Sequence, residues 1–97
     1  MKALLFRPAA EGDLGSIWDY SFETWGLAQA EQYILEIRDT CRMLASGEKR
    51  GRGVDIRQGY RKEACGAHMI YFRETETEIE VVRILHGRQD VERQIMG

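Results

Sequence analysis

Five arginines of the second half of the chain lie on or next to segments in which apolar and polar residues alternate, as is typical of β-strands. They are Arg57, Arg61, Arg73, Arg83 and Arg88. A guanidinium presents a planar fork of donors that matches phosphate or carboxylate, so arginines from adjacent strands could form one positive concavity. Strand register decides whether they meet: alternation places Arg57 and Arg61 on one face of their strand, and Tyr71 on the same face as Arg73.

Three interpretations of this arginine row stay open at the level of residues. The row could hold RNA phosphates during cleavage without a metal, because positioned cations stabilise the developing charge. It could bind the acidic side chains of a protein partner. It could also be structural, since a strand arginine such as Arg83 often pairs with a neighbouring glutamate across the sheet.

The only histidines, His68 and His86, fall on or beside predicted strands. A single histidine in such a place is more often a hydrogen-bonded structural residue than an acid or base. No Ser, Thr or Cys stands beside a histidine in a nucleophile motif, and no Gly-Lys-Ser/Thr follows the Gly- and Arg-rich segment 47–53. Hydrolase and Walker-type functions are therefore disfavoured, and we expect no cofactor.

Composition limits the class of protein further. With 97 residues, 43% of them hydrophobic and only one proline, the chain is expected to form a single domain, residues 1–97, rather than a disordered or collagen-like protein. No apolar run approaches the roughly 20 residues of a membrane span and no signal-peptide core develops, so a cytoplasmic protein is expected. Cys41 and Cys65 lie far apart without a Cys-x-x-Cys pair, which favours structural thiols over a disulfide or a metal site.

The charge of the chain is segregated. Residues 48–73 carry seven Lys/Arg against three Asp/Glu, a net charge of +4, whereas the segments before and after them are each −3. We call residues 48–73 the basic belt. Such a belt on an acidic chain suits a nucleic acid or an acidic partner peptide, and it is also compatible with a solvated hairpin.

A strand followed by two helices is predicted for the first half. Lys2 to Arg7 is a short apolar strand that Pro8 ends, and Pro8 also suits the first turn of a helix over residues 9–24, where Glu11 and Asp13 favour the helix dipole. Gly26 then allows a left-handed helix end before a second helix that ends near Ser46-Gly47. The apolar stripe of the first helix comprises Leu14, Ile17, Trp18, Ser21, Phe22 and Trp25, and that of the second comprises Ala30, Tyr33, Ile34, Ile37, Cys41 and Leu44. Both tryptophans are therefore predicted to pack in the core.

The second half predicts an antiparallel meander of three strands: residues 56–62, 68–73 and 79–86, with a hairpin turn at residues 74–77. In the last strand, Ile79, Val81, Arg83 and Leu85 alternate against Glu80, Val82, Ile84 and His86. A short C-terminal tail follows, with Val91 and Ile95 at helical spacing. Grouped helices and strands indicate an α+β fold, a helical hairpin packed on the sheet, with the opening strand beside the last ones.

These segments resemble the ParE branch of the RelE/ParE toxins. The resemblance covers nearly the whole chain in order and rests on residues 13–20, Trp25-Gly26, residues 29–33, Arg61-Lys62-Glu63, residues 68–73, and above all residues 81–90, which include His86-Gly87-Arg88-Gln89-Asp90. It implies a small bacterial toxin without catalytic residues of its own, which stabilises the cleaved DNA intermediate of DNA gyrase. It also implies a ParD-like antitoxin, whose C-terminal segment wraps the toxin in a hetero-oligomer.

The arginine row and the matching motif positions together predict which residues contact the target or the antitoxin. They are Arg57, Arg61, Tyr71, Arg73, Arg83, His86, Arg88 and Asp90. Because the chain as a whole is acidic, we expect it to recognise gyrase rather than naked DNA, and no membrane.

Two alternatives belong to the same superfamily. RelE-type toxins cleave messenger RNA on the ribosome, and here Arg61, Arg73, Arg83, His86 and Arg88 would supply the charges and the acid or base. The other alternative is an inactive relative that acts only as a binding module. No metal site is expected in any of these cases.

Overall fold

The computed structural model describes residues 1–54, 58–87 and 95, and these form an α+β fold in which a helical hairpin packs on one face of a sheet. In chain order the elements are β1 (Ala3–Phe6), α1 (Pro8–Trp25), α2 (Leu27–Ser46), β2 (Arg52–Gly53), β3 (Tyr60–Cys65), β4 (His68–Glu74) and β5 (Glu78–His86). The predicted order of strand, two helices and antiparallel strands is confirmed. Neither described helix is long and apolar enough to cross a membrane.

One glycine separates the two helices. Gly26 has a φ of +94°, which L side chains rarely adopt, and its N–H donates to the carbonyl of Phe22 at 3.0 Å. The chain therefore turns within a single residue, and α2 runs back along α1. Pro8 stands in the first turn of α1, as predicted, where its missing N–H costs no helical hydrogen bond.

The core lies between the helical hairpin and the sheet. Its largest fully buried side chains include Ile37 of α2, Ile70 and Phe72 of β4 and Ile79 of β5. The predicted stripe of α2 is confirmed, since its members are buried or half-buried. These contacts fix which end of each helix meets which end of the sheet.

The stripe predicted for α1 is only partly correct. Leu14, Ile17 and Ser21 are buried, but Trp18 is only half-buried and stacks on Phe22, which is itself 49% exposed. Trp25 is 68% exposed, so its predicted core position is wrong. The buried residues of α1 end at Ser21, and Trp25 lies one helical turn beyond it.

The sheet has the strand order β1-β5-β4-β3-β2. β1 pairs in parallel with β5, from Ala3 opposite Glu78 to Phe6 opposite Val81, and the helical hairpin serves as the crossover that parallel strands require. The other pairs are antiparallel. The opening strand thus lies beside the last one, as expected.

The first strand of the meander is displaced from its predicted position. The prediction was 56–62, whereas β3 covers Tyr60–Cys65, and residues 55–57 lie outside the described residues. In addition, the segment predicted as a loop contains β2, which pairs with β3. The Arg61 guanidinium donates to the carbonyls of Arg50 and Gly51, both at 3.0 Å, and holds this segment in place.

Strict alternation in β5 is also wrong. The register against β4 shifts between Tyr71 and Phe72, so Tyr71 lies opposite Arg83 while Phe72 lies opposite Val81. Val82 occupies the resulting bulge, and both it and Val81 are buried. The bulge is why Ile84, rather than Arg83, belongs to the same core as Val81. Of the predicted tail, Ile95 is helical and Val91 lies outside the described residues.

Candidate functional site

A groove of about 890 Å³ opens where the second half of α1, the start of α2 and the ends of β4 and β5 meet. Its walls carry both polar and aromatic side chains. Six of these side chains bear on binding or catalysis: Asp13, Trp25, Tyr33, His68, Arg83 and His86. The groove therefore brings together two predicted site residues, Arg83 and His86, and four that were not predicted as site residues.

Arg83 is held in the groove by Asp13 of α1. Its Nε and Nη2 donate to the two carboxylate oxygens of Asp13, each at 2.7 Å, in a bidentate ion pair. The hydrogen bonding of Arg83 to Asp13 is the main reason that the pKa of Arg83 lies above its ordinary value. Arg83 remains cationic and fixed in orientation.

Asp13 also satisfies a backbone donor of β5 on the edge where β1 no longer pairs with it. β1 reaches only to Val81 along β5, and beyond it the N–H of Ile84 donates to Asp13 Oδ2 at 2.9 Å. Asp13 was predicted to favour the dipole of the first helix, but Asp13 lies beyond the first turn of α1. Glu11 is the acidic residue of that turn. A single carboxylate thus links α1, the backbone of β5 and Arg83.

Tyr33, His68 and His86 form a second cluster in the groove. His68 on β4 lies opposite His86 on β5, with ring centroids 5.6 Å apart and an angle of 85° between the rings. The hydroxyl of Tyr33 lies 2.6 Å from His68 Nδ1 and accepts the N–H of Ala67 at 3.1 Å. Burial lowers the pKa of His68, and His86 lowers it further, which favours the neutral form of the ring.

The histidines were considered singly in the sequence, and their pairing was missed. The two residues are 18 positions apart, and only the register of the hairpin brings them together. The turn at residues 74–77 was the available signal, but counting outward from it along the two strands does not lead to this pair. The bulge in β5 shifts the register between the turn and the histidines.

Arg61 and Arg73, the other described arginines of the predicted site, have partners outside the groove. Arg61 binds the backbone of the β2 segment, as described above. Arg73 lies 3.6 Å from Glu80, which also receives Arg7 at 3.2 Å, and its guanidinium stands 6.0 Å from the ring centre of Tyr60. In the described part of the chain these guanidiniums do not share one ligand-sized concavity.

Tyr71 is 4% exposed, and burial raises the pKa of its hydroxyl. Its accessible surface is therefore small compared with that of Arg73. The other predicted site residues, Arg57, Arg88 and Asp90, lie outside the described residues.

Glu63, one of the three acidic residues of the basic belt, partly neutralises the charge of the belt. Glu63 lies 3.9 Å from Lys49, and its Oε1 accepts the N–H of Gly51 at 3.1 Å. Arg50 and Arg52 are exposed and give the belt its outward positive charge. An acidic partner could reach these two residues, as it could the exposed Arg73 at the end of the belt.

The cysteines are free thiols in different surroundings. Cys41 is fully buried, and burial raises the pKa of its thiol to about 12. Cys65 is half-buried and receives a long hydrogen bond, 3.5 Å, from the hydroxyl of Thr40. Within the described ranges, no group of three or more His, Cys, Asp or Glu side chains is arranged to hold a metal ion.

Comparison with known sequences adds evidence that geometry alone does not supply. The family described as "ParE toxin of type II toxin-antitoxin system, parDE" matches residues 4–91. Toxin ParE1 of Mycobacterium tuberculosis is 44% identical over 93 residues, which are 94% of this chain and 95% of the relative. Toxin ParE1 of Caulobacter vibrioides is 36% identical over 87 residues, 89% of this chain and 90% of the relative.

A solved structure has the same fold. A chain of the "Chromosomal ParDE TA system from P. aeruginosa" superimposes on this protein with a TM-score of 0.77. The match covers 89% of this chain and 96% of the solved one. Sequence identity over that match is 23%. The structural likeness therefore supports the fold, and the sequence matches support the family.

Proposed function

The chain belongs to the ParE toxin family of type II toxin-antitoxin systems, and from this premise we propose that it poisons DNA gyrase and is neutralised by a ParD-like antitoxin. The observation that carries the proposal is the 44% identity to Toxin ParE1 over nearly the full length of both chains. A match of that extent includes the segments that form the groove as well as those that form the core.

We further propose that the toxin acts by binding, without catalysing a reaction. What supports this is that Arg83 donates from Nε and Nη2 to Asp13, and Arg61 donates from Nε and Nη2 to backbone carbonyls. A guanidinium that stabilises a transition state has to direct its donors at the developing charge. These two arginines direct donors at the protein itself.

The residues proposed for contact with gyrase or antitoxin follow from exposure. Arg73 and His86 present exposed side chains, whereas Arg83 is half-buried and supports the groove wall. Arg57, Arg88 and Asp90 stay in the proposed surface on the grounds of the sequence alone. Charge reversal in Arg88→Glu is expected to reduce toxicity with no change in the melting curve.

The test in cells separates gyrase poisoning from message cleavage. The chain is expressed from an inducible promoter in a bacterial host, with and without its antitoxin, and double-strand breaks in the chromosome and half-lives of messenger RNA are measured. We expect breaks that the antitoxin suppresses and unchanged message half-lives at early times. Rapid message decay without breaks would contradict the proposal and favour the ribonuclease alternative.

A further inference from the structure

The two histidines of the groove are spaced like a pair of metal ligands. Their ring centroids are 5.6 Å apart and the rings are nearly perpendicular. An ion about 2.0–2.1 Å from one nitrogen of each ring, with a tetrahedral angle between the two bonds, places the centroids about 5 Å apart. Small rotations of two side chains on adjacent strands close that gap.

Tyr33 provides the support that a histidine ligand needs. Its hydroxyl lies 2.6 Å from His68 Nδ1 and 3.2 Å from the carbonyl of Cys65. When Nδ1–H donates to Tyr33, the Tyr33 O–H donates in turn to Cys65, and the Nε2 lone pair of His68 is directed away from both. A hydrogen bond to the second ring nitrogen is the usual way in which proteins fix the tautomer and orientation of a metal-bound histidine.

Access also suits a ligand role. His68 is half-buried while His86 is exposed at the rim of the groove, so an ion can reach the pair from solvent.

We propose that His68 and His86 chelate one divalent transition-metal ion of the zinc class, with Tyr33 as the positioning residue for His68 and water at the remaining coordination positions. Imidazole suits Zn²⁺, Ni²⁺ and Cu²⁺, whereas Mg²⁺ and Ca²⁺ prefer oxygen ligands. The described part of the chain offers these two nitrogen ligands and no third one. The ion is therefore exchangeable, and it links β4 to β5 at the end of the sheet that borders the groove.

Isothermal titration calorimetry of the purified full chain with zinc sulfate tests the proposal. We expect one ion per chain, with affinity reduced at least roughly tenfold in His86→Gln, which removes a ligand, and in Tyr33→Phe, which removes the supporting hydrogen bond. His86 is exposed, so its substitution leaves the fold intact. Magnesium chloride under the same conditions is expected to give no binding heat.

Gln29→Ala is the matched control, because Gln29 lines the same groove without being a metal ligand, and its zinc affinity is expected to equal that of the parent chain. Absence of zinc binding to the parent chain would overturn the proposal. Unchanged affinity in the double variant His68→Gln/His86→Gln would overturn it as well, since the ion would then be held elsewhere, for example by the Cys65 thiol. A ratio of one ion to two chains would contradict chelation within one chain.

Discussion

At the scale of residues, Asp13 connects the most parts of the molecule. It accepts two hydrogen bonds from Arg83 and one from the backbone of Ile84, and the side chains of the ion pair are only 14% and 20% exposed. In the Asp13→Asn variant an amide NH2 group takes the place of one of the two acceptor oxygens, so a donor faces the donors of the guanidinium. We expect the free energy of unfolding to fall by about 1–3 kcal/mol, measured by urea denaturation.

Asp39→Asn is the matched control for this substitution. Asp39 pairs with Arg42 on α2, but both side chains are 56% exposed, so its loss is expected to cost less than about 0.5 kcal/mol. Equal losses in the two variants would show that Asp13 contributes no more than a surface ion pair.

The thiol of Cys41 leads to a prediction at alkaline pH. Burial raises its pKa in the folded chain to about 12 from an ordinary value of 9.0, so above about pH 9 the unfolded chain binds fewer protons than the folded one. The free energy of unfolding is therefore expected to decrease as pH rises from 9 to 10. Urea midpoints at pH 7.5, 9 and 10 measure this decrease, and Cys41→Ala, which lacks the thiol, should show a smaller one. An identical slope in both chains would exclude Cys41 as the cause.

At the scale of elements, β2 depends on a glycine. Gly51 has a φ of +63°, and a Cβ built on it would lie 2.7 Å from the carbonyl oxygen of Lys62 and 2.8 Å from the ring of Phe72. We expect Gly51→Ala to destabilise the protein by about 1–3 kcal/mol, because the β2 segment must move away from the sheet. Gly53→Ala is the matched control, since a Cβ there has no atom within 4 Å. Thermal melting of both variants tests this, and similar melting temperatures would contradict it.

The elements that the sequence predicts well are those with local signals. α2 has a clean helical period and a glycine at each end, and both its bounds and its buried face match. The parts that fail depend on partners distant in sequence. β2 is held by Arg61 from the following strand, and the bulge at Val82 lies in the pairing of β5 with β4. Trp25 was misplaced because the helical period indicates one side of α1 but not where the sheet below it ends.

The residues of the candidate site also divide into those that residue type reveals and those that depend on partners distant in sequence. Arginine and histidine could be picked out by residue type, and Arg83 and His86 do line one groove. Asp13, the partner of Arg83, and Tyr33, the partner of His68, could not be picked out, since a helical aspartate and a tyrosine in an apolar stripe carry no local mark of a distant contact. Only the packing of the helical hairpin on the end of the sheet reveals them.

At the scale of the whole molecule, the segregated charge bears on association with the antitoxin. Arg50 and Arg52 are exposed on the basic belt, so an acidic segment would be attracted before contact. We expect Arg50→Glu/Arg52→Glu to slow association roughly tenfold at low salt and to reduce its dependence on salt. Stopped-flow mixing with the antitoxin at two salt concentrations measures both effects. Arg42→Glu, on α2 outside the belt, is the control. It makes half the change in net charge, so half the change in the logarithm of the association rate would point to net charge alone.

The measurement that tests the central claim most directly is a cleavage assay with purified chain, gyrase, ATP and supercoiled plasmid. Linear DNA is scored after treatment with detergent and protease, with and without the antitoxin. We expect linear DNA to accumulate, the antitoxin to suppress it, and Arg73→Glu to reduce it while Arg42→Glu does not. No linear DNA from a folded chain that binds its antitoxin would contradict gyrase poisoning.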